Sequence, residues 1–166
     1  MSSTVAPSGP HCKPTSVDGT TGIVLDTNVV LDWLVFRNPS CARLDDYFAS
    51  GQLRWLASTA MRDELAHVLG RGVCNAWTPN LPALWSTWDR HAAMAEPIQP
   101  MGAATRIRCT DTDDQKFIDL ALAHRARWLL SRDRAVLKLD RWTRALGLEV
   151  LTPEAWVKAF SAGEVR

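Results

Sequence analysis

The sequence predicts a three-layer α/β/α sandwich around a mainly parallel central sheet. Three observations predict it. Short apolar runs recur along the chain and are separated by amphipathic segments of helical period. The two patterns alternate, which is how a parallel sheet covered by helices on both faces is written. Two of the runs, Ile23-Val24-Leu25 and Trp128-Leu129-Leu130, stop abruptly at a polar loop holding an Asp. Buried parallel strands end in this way where ligands bind, beyond the carboxyl edge of an open sheet.

Taken in order, Gly22 to Leu25 reads as the first strand and ends at Asp26-Thr27-Asn28. Val29 to Phe36 predicts a short helix. Cys41 to Ser50 predicts an amphipathic one through Ala42, Leu44, Tyr47 and Phe48, stopped by Gly51. Leu53 to Ala57 is the second strand. Ser58 or Thr59 can N-cap a helix running to Leu69, with Gly70 ending it. Residues 70–83 carry Gly, Asn and Pro and read as a connection. Leu84 to Ala95 predicts a helix closed by Pro97 and Pro100. Arg106 to Cys109 is the third strand, Asp113 to Arg125 a helix, and Trp128 to Leu130 the fourth strand. Arg134 to Leu146 predicts a helix that Gly147 breaks. Leu148 to Leu151 is the last strand, and a terminal helix follows Pro153. Residues 1–20, rich in Ser, Thr, Pro and Gly, read as a disordered tail. Residues 21–160 form one domain, and 161–166 a C-terminal tail.

Composition bounds the function. The chain has 166 residues, 46% hydrophobic and 22% charged, as a globular protein with a real core does. No apolar run approaches the roughly 18 residues that a membrane span needs. The four cysteines, Cys12, Cys41, Cys74 and Cys109, include no C-x-x-C pair, which argues against zinc and against a disulfide framework. The first 21 residues have no apolar core of a secretory signal, so a cytoplasmic protein with reduced thiols is expected. Net charge is only +1, but Arg outnumbers Lys fifteen to four. Between Arg125 and Arg144 seven basic residues face two acids. A solvated helix face explains such a run as well as phosphate recognition does.

The acids are more informative. Asp26 and Asp133 each follow a strand, and in a parallel sheet both lie at the same edge. Glu64 lies about 40° from Val68 on a helix whose apolar stripe is Met61, Leu65, Val68 and Leu69. A carboxylate bordering a buried face needs a partner. The plain outcome for Glu64 is an arginine or water. Thr110-Asp111-Thr112-Asp113-Asp114 opens a helix, where the dipole and an Asp111 or Thr110 cap favour acids. That accounts for one or two acids better than for three. Asp114 lies on the core side, with Phe117 and Ala121. Four acids from separated segments can build an oxygen-rich site of the kind that hard Mg²⁺ or Mn²⁺ ions prefer. Such a site points to phosphodiester hydrolysis by metal-activated water. Thr27, Asn28 and Ser131 would orient ligands or bind phosphate.

Four segments together resemble the PIN domain family: L-D-T-N-V at 25–29, M-R-D-E-L at 61–65, D-T-D-D-Q-K-F-I-D-L-A-L-A at 111–123 and L-L-S-R-D-R-A-V-L at 129–137. The branch they resemble most comprises the bacterial toxins of toxin–antitoxin systems. The resemblance covers about residues 22–156. It implies an α/β/α ribonuclease using Mg²⁺ or Mn²⁺, with Asp26, Glu64, Asp114 and Asp133 as catalytic metal ligands. Asn28 matches the motif's Asn, and Ser131 stands where the family often has Thr, Ser or Gly. Asp111 and Asp113 lie close enough to compete with Asp114 as third ligand. Thr112 replaces a Pro that is frequent in this branch. The resemblance also implies an RNA substrate, a homodimer and a cognate antitoxin. Arg132, Arg134 and Lys138 are the positions expected to guide RNA.

Two rivals stand beside this reading. A phosphohydrolase of small phosphoesters usually wants a second Asp two residues after its nucleophile, and that position is Asn28. A non-catalytic PIN-like scaffold binding RNA or protein would not need all four acids. Of the eight tryptophans, most read as core, with Trp77, Trp85 and Trp88 set apart as a partner surface. His67, one turn from Glu64, reads as an ordinary surface histidine.

Overall fold

The computed structural model of the protein describes residues 19–164. The tail read over residues 1–20 therefore falls, except for Gly19 and Thr20, outside the described residues, as does Cys12. The five strands are β1 (Thr21–Leu25), β2 (Leu53–Ala57), β3 (Ala92–Met94), β4 (Trp128–Leu130) and β5 (Glu149–Leu151). They form one sheet in the order β3-β2-β1-β4-β5, with every pairing parallel. The helices are α1 (Thr27–Leu34), α2 (Leu44–Ala49), α3 (Thr59–Gly70), α4 (Leu81–His91), α5 (Gln115–Ala123), α6 (Arg134–Leu137), α7 (Asp140–Thr143) and α8 (Pro153–Glu164). They cover both faces of the sheet, giving the expected α/β/α sandwich. Ile23, Val24 and Leu25 are consequently all buried, with no alternation.

Tryptophans dominate the packing. Trp55 on β2 is fully enclosed and meets Trp33 of α1 edge-on at 5.7 Å and Trp88 of α4 at 4.6 Å. Phe48 of α2 stacks on it at 6.0 Å. A second cluster joins Trp128, Trp156, Phe160 and Tyr47, docking α8 against β4 and α2. Trp88 is thus core rather than partner surface. Trp85 is half-buried beneath the Arg62 guanidinium, and Trp77 is exposed, edge-on to Phe36.

The third strand is not where the sequence pattern put it. Arg106-Ile107-Arg108-Cys109 alternates like a strand, yet two of its backbone groups are taken by one side chain and the Ile107 amide turns back to the Ala104 carbonyl. Gln115 donates to the Ile107 carbonyl at 3.0 Å and accepts from the Cys109 amide at 2.7 Å. The strand is instead Ala92–Met94, paired with β2 through Trp55↔Ala92, Leu56↔Ala93 and Ala57↔Met94. The helix expected over 84–95 therefore stops at His91. It also starts earlier, at Leu81, because the Asn80 side chain caps it and Pro82 lies in its first turn.

The helix expected over 134–146 is divided into α6, α7 and a 3-10 turn at Arg144–Leu146. The one expected from Asp113 begins as a 3-10 turn, Thr112–Asp114, before α5. Helix α8 runs to Glu164, beyond the 160 boundary. Cys41, Cys74 and Cys109 are buried free thiols. No described helix is long and apolar enough to cross a membrane.

Candidate metal centre

The strand order places the centre. From β1 the chain proceeds outward to β2 and β3 on one side, and to β4 and β5 on the other. The carboxyl ends of β1 and β4 are therefore adjacent at a topological switch point, where a crevice opens. The Asp26 amide donates to the Leu130 carbonyl at 2.9 Å, and the Ser131 amide to the Leu151 carbonyl at 3.0 Å. These bonds extend the ladder by one residue and fix both loops as they leave the sheet.

Asp26 is 2% exposed and N-caps α1, its Oδ1 accepting from the Asn28 amide at 3.4 Å. Its Oδ2 accepts from Ser131 Oγ at 2.6 Å, and the same hydroxyl oxygen accepts the Asp133 amide at 3.0 Å. Ser131, with no exposed surface, thus ties the two strand-end acids together. Asp133 in turn caps α6 through the Ala135 amide at 2.7 Å. Burial raises the Asp26 pKa, the Ser131 and Asn28 bonds oppose that rise, and the nearby Glu64 and Asp133 add to it. Thr27 is buried, and Asn28 is exposed at the mouth.

The helix-start acids converge on the same place. Asp111 caps the 3-10 turn through the Asp113 amide at 3.0 Å. That turn brings one ligand oxygen each of Asp111, Asp114 and Asp133 within 4.8 Å of one another. Asp114 is pushed up to about 7, first by burial and then by Asp26, Asp133, Asp111 and Glu64. Such crowding means the cluster carries more negative charge than it can hold ionised, which a bound cation relieves. All donors are oxygens, so the residues fit a hard divalent ion. Asp113 is exposed and is not one of the three.

Glu64 reaches the cluster from α3, which packs against α5. Its Oε2 is shielded from solvent and pairs with the Lys116 ammonium, without an aligned hydrogen bond. Lys116 is the residue that sequence reasoning passed over. Its one signal was its position, a lysine in the first turn of α5, where a cation opposes the helix dipole.

The basic residues separate into two kinds. Arg132 does not offer itself to RNA as expected. Its guanidinium binds Asp32 of α1 and makes two bonds to Glu154 of α8, at 2.6 and 3.2 Å. Arg134 and Lys138 are exposed and enter no ion pair among the described residues. His67 is exposed, as expected.

Comparison with known proteins agrees with this geometry. A family model described as the PIN domain matches residues 22–135, from β1 through the start of α6. No curated protein matches the chain significantly. The match covers more than half of the sequence and spans Asp26, Glu64, Asp111, Asp114 and Asp133. The chain belongs to the PIN domain family, a nuclease-type fold, and carries an acidic cluster able to bind a divalent metal.

Proposed function

We propose that the protein is a Mg²⁺- or Mn²⁺-dependent endoribonuclease that hydrolyses RNA phosphodiester bonds. The observation that carries this reading is the convergence at one sheet edge of acids from separate segments, with Asp111, Asp114 and Asp133 within 4.8 Å. Asp111, Asp114 and Asp133 would hold the ion, with Asp26 on the adjoining strand end adding negative charge beside it. Bound there, a divalent ion acidifies water and neutralises charge on phosphate oxygens. Asp26, enclosed and held by Ser131, would present a fixed carboxylate to such a water. Asn28, exposed at the mouth, offers its amide to a phosphate oxygen. Arg134 and Lys138, just past Asp133, present cations to the RNA backbone.

We further read the chain as the toxin of a toxin–antitoxin pair: a cytoplasmic homodimer blocked by its cognate antitoxin. Support for that role is the resemblance of its motifs to the toxin branch.

Asp26→Asn tests the chemistry. It keeps the size and cap of the side chain but removes a charge from the cluster. Expected is a loss of EDTA-sensitive RNA cleavage of at least about 100-fold with an unchanged circular dichroism spectrum. Full cleavage by the variant would overturn the mechanism.

A further inference from the structure

We propose that Lys116 is a tethered counter-cation of the acid cluster, which occupies Glu64 and restricts the centre to one tightly held divalent ion. This rests on the metal-dependent reading above and deepens it, by assigning the residue that sets how many ions the site takes.

Three features carry it. Lys116 stands in the first turn of α5, where a cation opposes the helix dipole. Its ammonium is fixed on two sides: it pairs with Glu64 of α3 and donates to the Asp113 carbonyl at 2.5 Å. Its charge also lies 5.1 Å from the centre of the Phe117 ring, whose side chain is fully buried. Both Lys116 and Glu64 are 28% exposed, so the pair lies partly out of water, where charge interactions are strong.

The consequence follows from competition for one carboxylate. An ammonium and a divalent ion seek the same oxygens of Glu64 and repel each other at contact distance. Asp111, Asp114 and Asp133 converge without Glu64 and take the first ion. A second ion that takes Glu64 as a ligand has to displace Lys116. Removing the ammonium leaves Glu64 as an unpartnered acid in a crowded anionic cluster, and its demand for a cation rises.

Calorimetric titration of the full chain with MnCl₂ tests this. The wild type is expected to bind one ion tightly. Lys116→Met, which keeps the apolar stem against Phe117, is expected to tighten a second ion at least tenfold. Glu64→Gln is expected to keep the first ion within about threefold, and in the double variant the gain from Lys116→Met disappears.

Unchanged or weaker Mn²⁺ binding by Lys116→Met would overturn the proposal, as would two tight ions in the wild type. If Lys116→Met does not fold, Glu64→Gln decides alone, since losing the first ion there contradicts a site built without Glu64. Absence of Mn²⁺ binding in every protein would defeat the metal-dependent reading itself. Binding of one ion with no effect of Lys116 would defeat only the present inference.

Discussion

At the carboxyl ends of β1 and β4, Asp26, Glu64, Asp111, Asp114 and Asp133 act on one another, and Lys116 pairs with Glu64 alone among them. Along β4, β5 and α8 the charges are matched instead. Arg127 meets Glu149 at 2.9 Å, Arg144 meets Asp140 at 2.6 Å, and Arg132 joins Asp32 to Glu154. Both regions are rich in ionisable groups, and both hold secondary-structure elements together. They differ in what the chain leaves unpaid. The matched network is complete by itself, and Arg132 holds the Glu154 carboxyl below its ordinary range. The strand-end cluster is short of positive charge, so that burial and mutual repulsion raise Asp26 and Asp114. A folded chain keeps such an imbalance where another cation is to come.

Substitutions in the two regions should therefore break different properties. The largest effect after Asp26 itself belongs to Ser131→Ala. It removes the hydroxyl shared by Asp26 and Asp133 while adding no bulk. Metal affinity, measured by Mn²⁺ titration, should fall about 10–100-fold, as for other groups that orient ligands. Wild-type affinity in Ser131→Ala would show that the two acids are positioned without it.

A titration sharpens the comparison next. Asp114 stands near 7 in the folded protein against an ordinary 3.8. Between those values the folded chain holds a proton that the unfolded chain has released. The stabilising contribution is thus complete below about pH 4 and lost as pH rises through about 7. Melting temperatures of the metal-free protein should fall across that window, with Asp26 acting in the same direction. Mn²⁺ at pH 8 should restore stability, because it binds only the folded cluster. A melting temperature that rises through this window and ignores Mn²⁺ would contradict the crowding.

The smallest effects are expected in the matched network. Arg132→Ala strands Asp32, whose side chain is 13% exposed, and should cost about 1–2 kcal/mol in a denaturant melt. Metal binding should be largely spared. Arg144→Ala, on a half-exposed side chain, should cost under about 1 kcal/mol. A Mn²⁺-binding loss in Arg132→Ala as large as that of Ser131→Ala would erase the distinction between the regions.

How much of this was legible in the sequence differs from residue to residue. β1 and Asp26 were readable because an apolar run and its polar stop are local patterns. So were Ser58 as a cap and the helix face that presents Glu64. The third strand was not. Ala92-Ala93-Met94 continues a helical pattern and has little strand preference, and it becomes a strand only because the edge of β2 offers a parallel partner. Arg106 to Cys109 shows the converse, since its alternation was real but the Ile107 carbonyl and the Cys109 amide bond to Gln115. Arg132 was indistinguishable from Arg134 within one basic run. Only the approach of Asp32 and Glu154, from distant segments, separates them. Asp111 was read both as a helix cap and, with Asp113, as a rival to Asp114 for the third ligand; the turn it caps is what brings Asp111, and not Asp113, beside Asp114 and Asp133.

The central claim is that the strand-end acids are a metal centre. The most direct measurement is a crystal of the protein soaked in MnCl₂, with anomalous diffraction recorded at the manganese edge. The account predicts an ion within about 2.0–2.6 Å of carboxylate oxygens of Asp114 and Asp133, facing Asp26. A map with no anomalous peak among these acids, or with manganese bound only elsewhere, would contradict it.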